Sequence, residues 1–436
     1  VACTLLLLHW YANRRDGVLF PFAFLYGLSL CNHNTMFLLG PVYILFIVMV
    51  EPLFWKRWKL YAACVGVSLL ALLVYAYLPV RSAQDPPVDW GNPETWENFH
   101  GHVTRQQYAF GFTEHPRTLG RLAGQLRAFL EIYAWEFTPW ACWMPFAGAW
   151  LLWRRDRLVF AMLATVVGVS SLGMVLILNF ELDRQSLWLN NVFWIPCYIM
   201  AAAATGCLAG EGFRSRTLRV VLPAFALACI ASSFWWHHHR NDKSAYLYAY
   251  DFGLNSLNTM ERDAVYFPTS DHATFPALYL QACEGMRPDI AIANKYGYPE
   301  ESLYRDMDAE MRSGFRKIPT PAEETFIEDW IVQHTDRPVY FTTRREMRGL
   351  PGHELVKEGL LYRVLRPGEA RSEKDFWSLY AWHDVEPDGT RGELTADYVL
   401  SDYYFLRAWD RMADGRADEA RQDFALALEL GRGSKE

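Results

Sequence analysis

The sequence predicts a mainly α protein: a polytopic transmembrane helix bundle followed by a small extracytoplasmic α/β domain and a helical-repeat-like C-terminus. Three observations predict it. Residues 1–236 are apolar runs separated by short charged loops, residues 237–392 alternate short β-branched and aromatic runs with helical stretches, and residues 393–436 read as helix throughout. The mean hydropathy of -0.04 averages over these parts, and a composition shift this sharp marks a domain boundary.

The transmembrane part has apolar runs at 1–11, 18–33, 35–50, 59–80, 129–153, 158–180, 192–210 and 217–236, about eight spans. In hydrocarbon every backbone N–H and C=O must be bonded within its own segment, so each run is expected to be a helix. The run 1–11 is shorter than the roughly 20 residues a span requires and reads as the end of a truncated span, with sequence missing upstream of Val1. Runs 18–33 and 35–50 form either a hairpin turning at Asn32-His33-Asn34 or one kinked helix. Loop charge decides between them. Basic clusters stand at Arg14-Arg15, Lys56-Arg57-Trp58-Lys59, Arg154-Arg155-Asp156-Arg157 and Arg214-Ser215-Arg216. Only the hairpin puts all four on one side, which the positive-inside rule makes cytoplasmic. The loops 81–128 and 181–191 and everything from 237 are then extracytoplasmic.

The α/β domain has expected strands at 264–268, 289–293 and 338–342, short runs rich in β-branched and aromatic residues. Helices are expected between them at about 244–260, 274–284, 300–313 and 321–334, an alternation that favours a small, mainly parallel sheet. The net charge of -7 argues against a nucleic-acid partner, and the basic residues beside apolar runs are a topology signal. Of eight cysteines only Cys283 lies in the tail, and no spacing suggests a disulfide framework or a metal site.

The loop 81–128 carries the densest pattern. From Arg81 it runs through Pro86-Pro87 and Asp89-Trp90-Gly91-Asn92-Pro93 to Trp96, a backbone expected to be fixed and extended, presenting an indole at the membrane surface. Arg81, at the outer end of its span, either binds a lipid-linked phosphate through its bidentate guanidinium or snorkels to the interface. His33, between Asn32 and Asn34, ends a short helix at the outer face; it is either functional or satisfies the bend. Glu131 and Glu136 are expected in the first two turns of the helix after the loop, where a carboxylate is paired, protonated or functional. Asp183-Arg184 reads as a solvated loop pair. Thr269-Ser270-Asp271-His272 follows a strand and precedes a helix, the ligand position of open α/β sheets, with helix capping by Asp271 as the alternative. His237-His238-His239 reads as interface polarity, since no Cys, Asp or Glu completes a metal site nearby. Nearly every ionisable residue of the bundle sits at a span end. That suits an enzyme acting on a lipid-linked substrate better than an ion-coupled transporter, which needs midplane charges.

At the C-terminus, Gly415-Arg416-Ala417-Asp418-Glu419-Ala420 with Phe424, Ala427 and Leu430 matches the second half of a tetratricopeptide unit, or else a lone amphipathic hairpin. Upstream stand Gly27-Leu28-Ser29 with Asn32-His33-Asn34-Thr35, Leu78-Pro79-Val80-Arg81, Pro86-Pro87, Trp90-Gly91-Asn92-Pro93 with Thr95, and His102-Val103-Thr104 with Gln107-Tyr108. Further on come Ser270-Asp271, Thr274-Phe275-Pro276, Tyr279 and Arg287-Pro288-Asp289. Together these resemble the protein O-mannosyltransferase-like multi-span membrane family, which is similar to the GT-C glycosyltransferases, and the resemblance covers most of the chain. It implies transfer of a sugar from a polyprenyl-phosphate carrier to an acceptor on the outer face, with a carboxylate in the first outer loop assisting the acceptor hydroxyl, and tetratricopeptide-like repeats at the end. The family's acidic motif has no counterpart here and is expected upstream of Val1, so the catalytic base is unknown. Asp89 and Asn92 stand where the family more often has Asn and Asp.

The leading expectation is therefore a membrane glycosyltransferase, with mannose the sugar the resemblance implies and a protein or glycan hydroxyl the acceptor. The substrate-binding residues expected are Arg81, His33, Glu136, Asn32, Trp90, Asp89 and Asp271, with no metal and no cofactor. Expected partners are the polyprenyl-phosphate-linked sugar, the acceptor protein or glycan, the lipid bilayer and a protein bound through the helical repeats. The alternatives are a polytopic transporter with an outer sensor domain and a non-catalytic membrane scaffold. A tail facing outward without any Asn-x-Ser/Thr sequon points to a bacterial inner membrane, with the C-terminal domain in the periplasm or outside, rather than to the endoplasmic reticulum.

Overall fold

The structure is a computed structural model that describes residues 1–84, 86, 89–106, 116–214, 219–244, 246–293, 303, 321–345, 350–383 and 394–432. All of the helix expected over 300–313 except Leu303, residues 85, 87, 107 and 108 of the loop motif, and residues 215–218 lie outside the described residues. The chain divides into two compact units. One comprises Val1–Tyr77 and Ala109–Lys243, the other Leu78–Tyr108 and Ser244–Glu436.

Among its described residues, the first unit is built of helices and the turns between them. Three of its helical runs, Phe54–Ser82, Arg157–Leu178 and Arg184–Gly210, are long and apolar enough to cross a membrane among the described residues, the first continuing past Tyr77. Asp16–Asn32 and Met36–Val50 are shorter apolar helices. His33 is extended between them (φ -149°, ψ 128°). The second helix then folds back along the first: the Tyr26 hydroxyl donates to the Met36 carbonyl at 3.2 Å, and the rings of Phe22 and Tyr26 meet Tyr43 at 5.6 and 6.0 Å. Small residues let backbones approach. A Cβ on Gly27 would lie 2.3 Å from the Ser68 carbonyl oxygen, and one on Gly148 would lie 1.8 Å from that of Ala204. Such close crossings are how helices associate where no hydrophobic drive separates them from lipid.

Two expectations for this unit are corrected. The run 129–153 is not one helix but two, Leu119–Glu136 and Met144–Arg155. The break falls at Thr138, which is left-handed (φ 64°) and precedes Pro139, whose ring disfavours the helical region for the residue before it. Glu136 therefore closes a helix instead of opening one, and Glu131 lies within that helix, paired with Arg127 at 2.8 Å. The loop 181–191 is helical from Arg184, because Asp183 caps that helix by accepting from the Ser186 amide at 2.9 Å. Asp183 is thus a cap rather than a solvated loop charge.

The second unit is built on a five-stranded sheet, β1 (Val265–Phe267), β2 (Ala291–Ile292), β3 (Val339–Phe341), β4 (Glu354–Glu358) and β5 (Leu361–Leu365), in the order β2-β1-β3-β5-β4. The three expected strands are present and parallel, β1 pairing with both β2 and β3. The β4–β5 hairpin was not expected and adds antiparallel to β3, so the sheet is mixed. Strand period two sorts the side chains onto two faces. Tyr266 and Tyr340 pack with Phe252, Leu280 and Tyr403 from the helices Tyr248–Thr259, Asp271–Glu284 and Leu394–Ala413. Val265, Phe267, Val339 and Phe341 pack with Ile327 and Ile331 of the helix Pro321–His334. Gly359 (φ 58°) turns the hairpin, and any Cβ there would collide with the Tyr380 hydroxyl at 1.9 Å. That hydroxyl accepts from the Leu360 amide at 3.0 Å and ties the turn to the core.

The C-terminal helices Leu394–Ala413 and Ala417–Arg432 form a hairpin. The first helix serves two cores: Val399, Tyr403 and Leu406 face the sheet, while Leu400 and Tyr404 face Ala427 and Leu430 of the second helix. Buried Asp423 accepts from Arg407 at 2.7 and 2.8 Å and from Arg411 at 2.8 Å.

Candidate functional site

The segment that follows Arg81 is held by its own polar residues. The Ser82 hydroxyl donates to Asp89 Oδ2 at 2.7 Å, and the Asn92 side-chain oxygen stands 3.1 Å from the same hydroxyl. Gly91 (φ 73°) and Asn92 (φ 40°) reverse the chain. Asn98 donates to the Asn92 carbonyl at 2.8 Å. Thr95 then caps the helix Trp96–Thr104 through the Asn98 amide, as an N-cap threonine does. The reversal at Gly91 and Asn92 corrects the expectation of an extended backbone from Arg81 to Trp96. The placement of Ser82 between residues 89 and 92 also gives Asp89 and Asn92 a shared role: an Asn/Asp pair in either order keeps one carboxylate and one amide around one hydroxyl.

Trp90 stacks face to face on Phe275, with centroids 5.5 Å apart and planes 6° from parallel. Phe275 stands four residues after Asp271 on the helix Asp271–Glu284, so the two leave the helix on one face. Asp271 is exposed in the first turn, and the cap position is held by Ser270. Beside it, His272 Nε2 lies 3.1 Å from the Ser270 hydroxyl and 3.6 Å from Asp402. Both partners meet the same ring nitrogen, which is not the arrangement of a nucleophile–base–acid relay, where the acid holds the other nitrogen. Arg287 of the Arg-Pro-Asp motif is structural. It donates to the carbonyls of Leu257, Met260 and Glu261 and to Asp289 at 2.5 to 3.3 Å, and this pairing holds the Asp289 carboxyl well below the usual range.

Of the expected residues, the second unit brings together Asp89, Trp90 and the helix of Asp271; Arg81 lies in its first segment, exposed, donating to Gln84 at 2.6 Å. Asn32, His33 and Glu136 belong to the first unit. His33 Nδ1 accepts from the Thr35 amide at 3.2 Å and lies 2.8 Å from the Thr35 hydroxyl. The amide contact leaves the ring proton on Nε2. The His33 ring meets Phe193 edge-on at 5.7 Å. Asn32 ends its helix, exposed. Glu136 is exposed at the end of the helix Leu119–Glu136. Sequence reasoning missed Ser82, Asn98 and Phe275. Phe275 had a signal, since it stood in a recognised motif; Ser82 had only its position next to Arg81.

With this geometry in view, the chain can be set beside known proteins. The protein O-mannosyl-transferase TMEM260 of Mus musculus is 25% identical over 316 residues, covering 65% of this chain and 42% of the mouse protein. This chain is a distant relative of a protein O-mannosyltransferase. It spans less than half the length of that relative. No family model matches the chain, and no solved structure matches it.

Proposed function

We propose that the chain is part of a membrane glycosyltransferase of GT-C type that moves a sugar, mannose in this reading, from a polyprenyl-phosphate donor to a protein or glycan hydroxyl on the extracytoplasmic face. The observation that carries this reading is the coincidence of the Arg81–Thr95 and His33 motifs with similarity to a mouse protein O-mannosyl-transferase. Arg81 would hold the donor phosphate with a bidentate fork and stabilise it as it leaves. His33, Asn32 and Glu136 would line the donor or acceptor path, and the Trp90 platform with Asp89 and Asp271 would face the acceptor. The general base is assigned to no residue of this chain. The C-terminal hairpin would recruit a protein partner, and the tail would lie in the periplasm or outside a bacterial inner membrane, or in the endoplasmic reticulum lumen of a eukaryote.

The test is transfer of labelled mannose from polyprenyl-phosphomannose by membranes carrying the full-length protein. Arg81→Ala should lower the rate about 100-fold, the scale of losing one transition-state donor, and Arg81→Lys should restore part of it because charge returns without the fork. Full activity in the alanine form would remove Arg81 from the site. Absence of transfer by the wild-type protein would overturn the activity itself.

A further inference from the structure

The corner between the helices Met144–Arg155 and Arg157–Leu178 is not used by the reading above. It contains a surface cavity of about 380 Å³ lined by Trp150, Trp153, Arg154 and Arg157. The walls are organised. The Arg154 guanidinium lies 3.9 Å from the centre of the Trp150 ring, and Trp153 packs on Phe160 of the next helix at 5.4 Å. Both arginines are exposed, and neither has an ion-pair partner among the described residues. The nearest acid in sequence, Asp156, is engaged elsewhere: its Oδ1 accepts from the amides of Leu158 and Val159 at 3.1 and 3.0 Å. The Leu158 and Val159 amides at the start of the second helix are therefore occupied, and the two guanidinium groups are the donors left to hold an incoming anion.

Two indoles and two uncompensated cations at the end of an apolar helix are the chemistry of a headgroup-level contact. Tryptophan prefers the membrane interface, and arginine matches a phosphodiester with two parallel N–H···O bonds. We propose that this corner is a binding site for the phosphate of an anionic membrane lipid, its headgroup between Arg154 and Arg157 and its glycerol against Trp150 and Trp153. The site is independent of the proposed sugar transfer.

The experiment is native mass spectrometry of the purified full chain in neutral detergent, with added phosphatidylglycerol, phosphatidylcholine or inorganic phosphate. Phosphatidylglycerol should be retained in preference to phosphatidylcholine. The double variant R154Q/R157Q should bind phosphatidylglycerol about thirty-fold more weakly, at about five-fold per interfacial cation. Should the double variant fail to fold, R154Q and R157Q singly read the same loss at about five-fold each. Displacement of the lipid by millimolar inorganic phosphate would keep the anion site and name free phosphate as its source. Equal retention of the two lipids, or undiminished binding in the arginine variants, overturns the proposal.

Discussion

His102 shows how one side chain of the second unit reports on pH. Its Nδ1 is buried without a hydrogen-bond partner among the described residues. Burial first, and the charge of Arg105 second, push its pKa below the ordinary 6.5, against smaller opposing effects of Asp89 and of a hydrogen bond to the Trp90 backbone. A depressed histidine favours the folded state when neutral. The unfolded chain then takes up a proton at a higher pH than the folded one, so stability is constant above about 6.5 and falls as pH drops through that value. The expected outcome is that amide hydrogen exchange in Trp96–Thr104 accelerates between pH 7 and pH 5 after correction for intrinsic rates, and that His102→Gln flattens the profile. An unchanged profile in the glutamine form would show that another group carries the dependence. The motif of which His102 is part was legible in the sequence, but its nearness to the Trp90 backbone was not, because local turn geometry at Gly91 and Asn92 creates it.

At the scale of elements, helix–helix approach in the first unit rests on absent side chains. A methyl group at residue 148 would sit 1.8 Å from a backbone oxygen, and backbone cannot yield as a side-chain tip can. Gly148→Ala should therefore destabilise the protein by about 2 kcal/mol, within the 1–3 kcal/mol typical of overpacking, read as a lower midpoint in a detergent thermal melt. The same change at Gly66, where nothing lies within 4 Å, should leave the midpoint nearly unchanged. Elements with a strong period or an apolar run were readable: the three parallel strands, the hairpin at His33 and the helix Asp271–Glu284. The β4–β5 hairpin was not, because its Glu354, Lys357 and Glu358 carry charge where a strand pattern needs apolar residues. Glu358 is nonetheless buried, accepting from the Ser372 amide at 3.0 Å. The break at Thr138 was hidden by apolar composition on both sides. The Trp90–Phe275 stack joins residues too distant for any local pattern to pair.

For the whole molecule, the side on which the tail lies is a proposal that rests on charge. The hairpin reading of the sequence puts its four basic clusters on one side, and the positive-inside rule then places the tail from 237 on the other, extracytoplasmic side. A green fluorescent protein fused after Arg240 should be dark in intact bacteria, while an alkaline phosphatase fused there should be active; the opposite pair of signals would invert the topology. The division of the chain has a different consequence. The polypeptide passes between its two compact units after Tyr77, after Tyr108 and after Lys243. A cut at the last of these points would leave 244–436 without a peptide link to the bundle, yet still clasping 78–108 through contacts such as the Trp90–Phe275 stack. With a protease site inserted between Lys243 and Ser244, the severed tail should pellet with the membranes and come free only in denaturant, behaving as a non-covalent subunit; a tail that appears at once in the supernatant would show that the clasp is too weak to hold it.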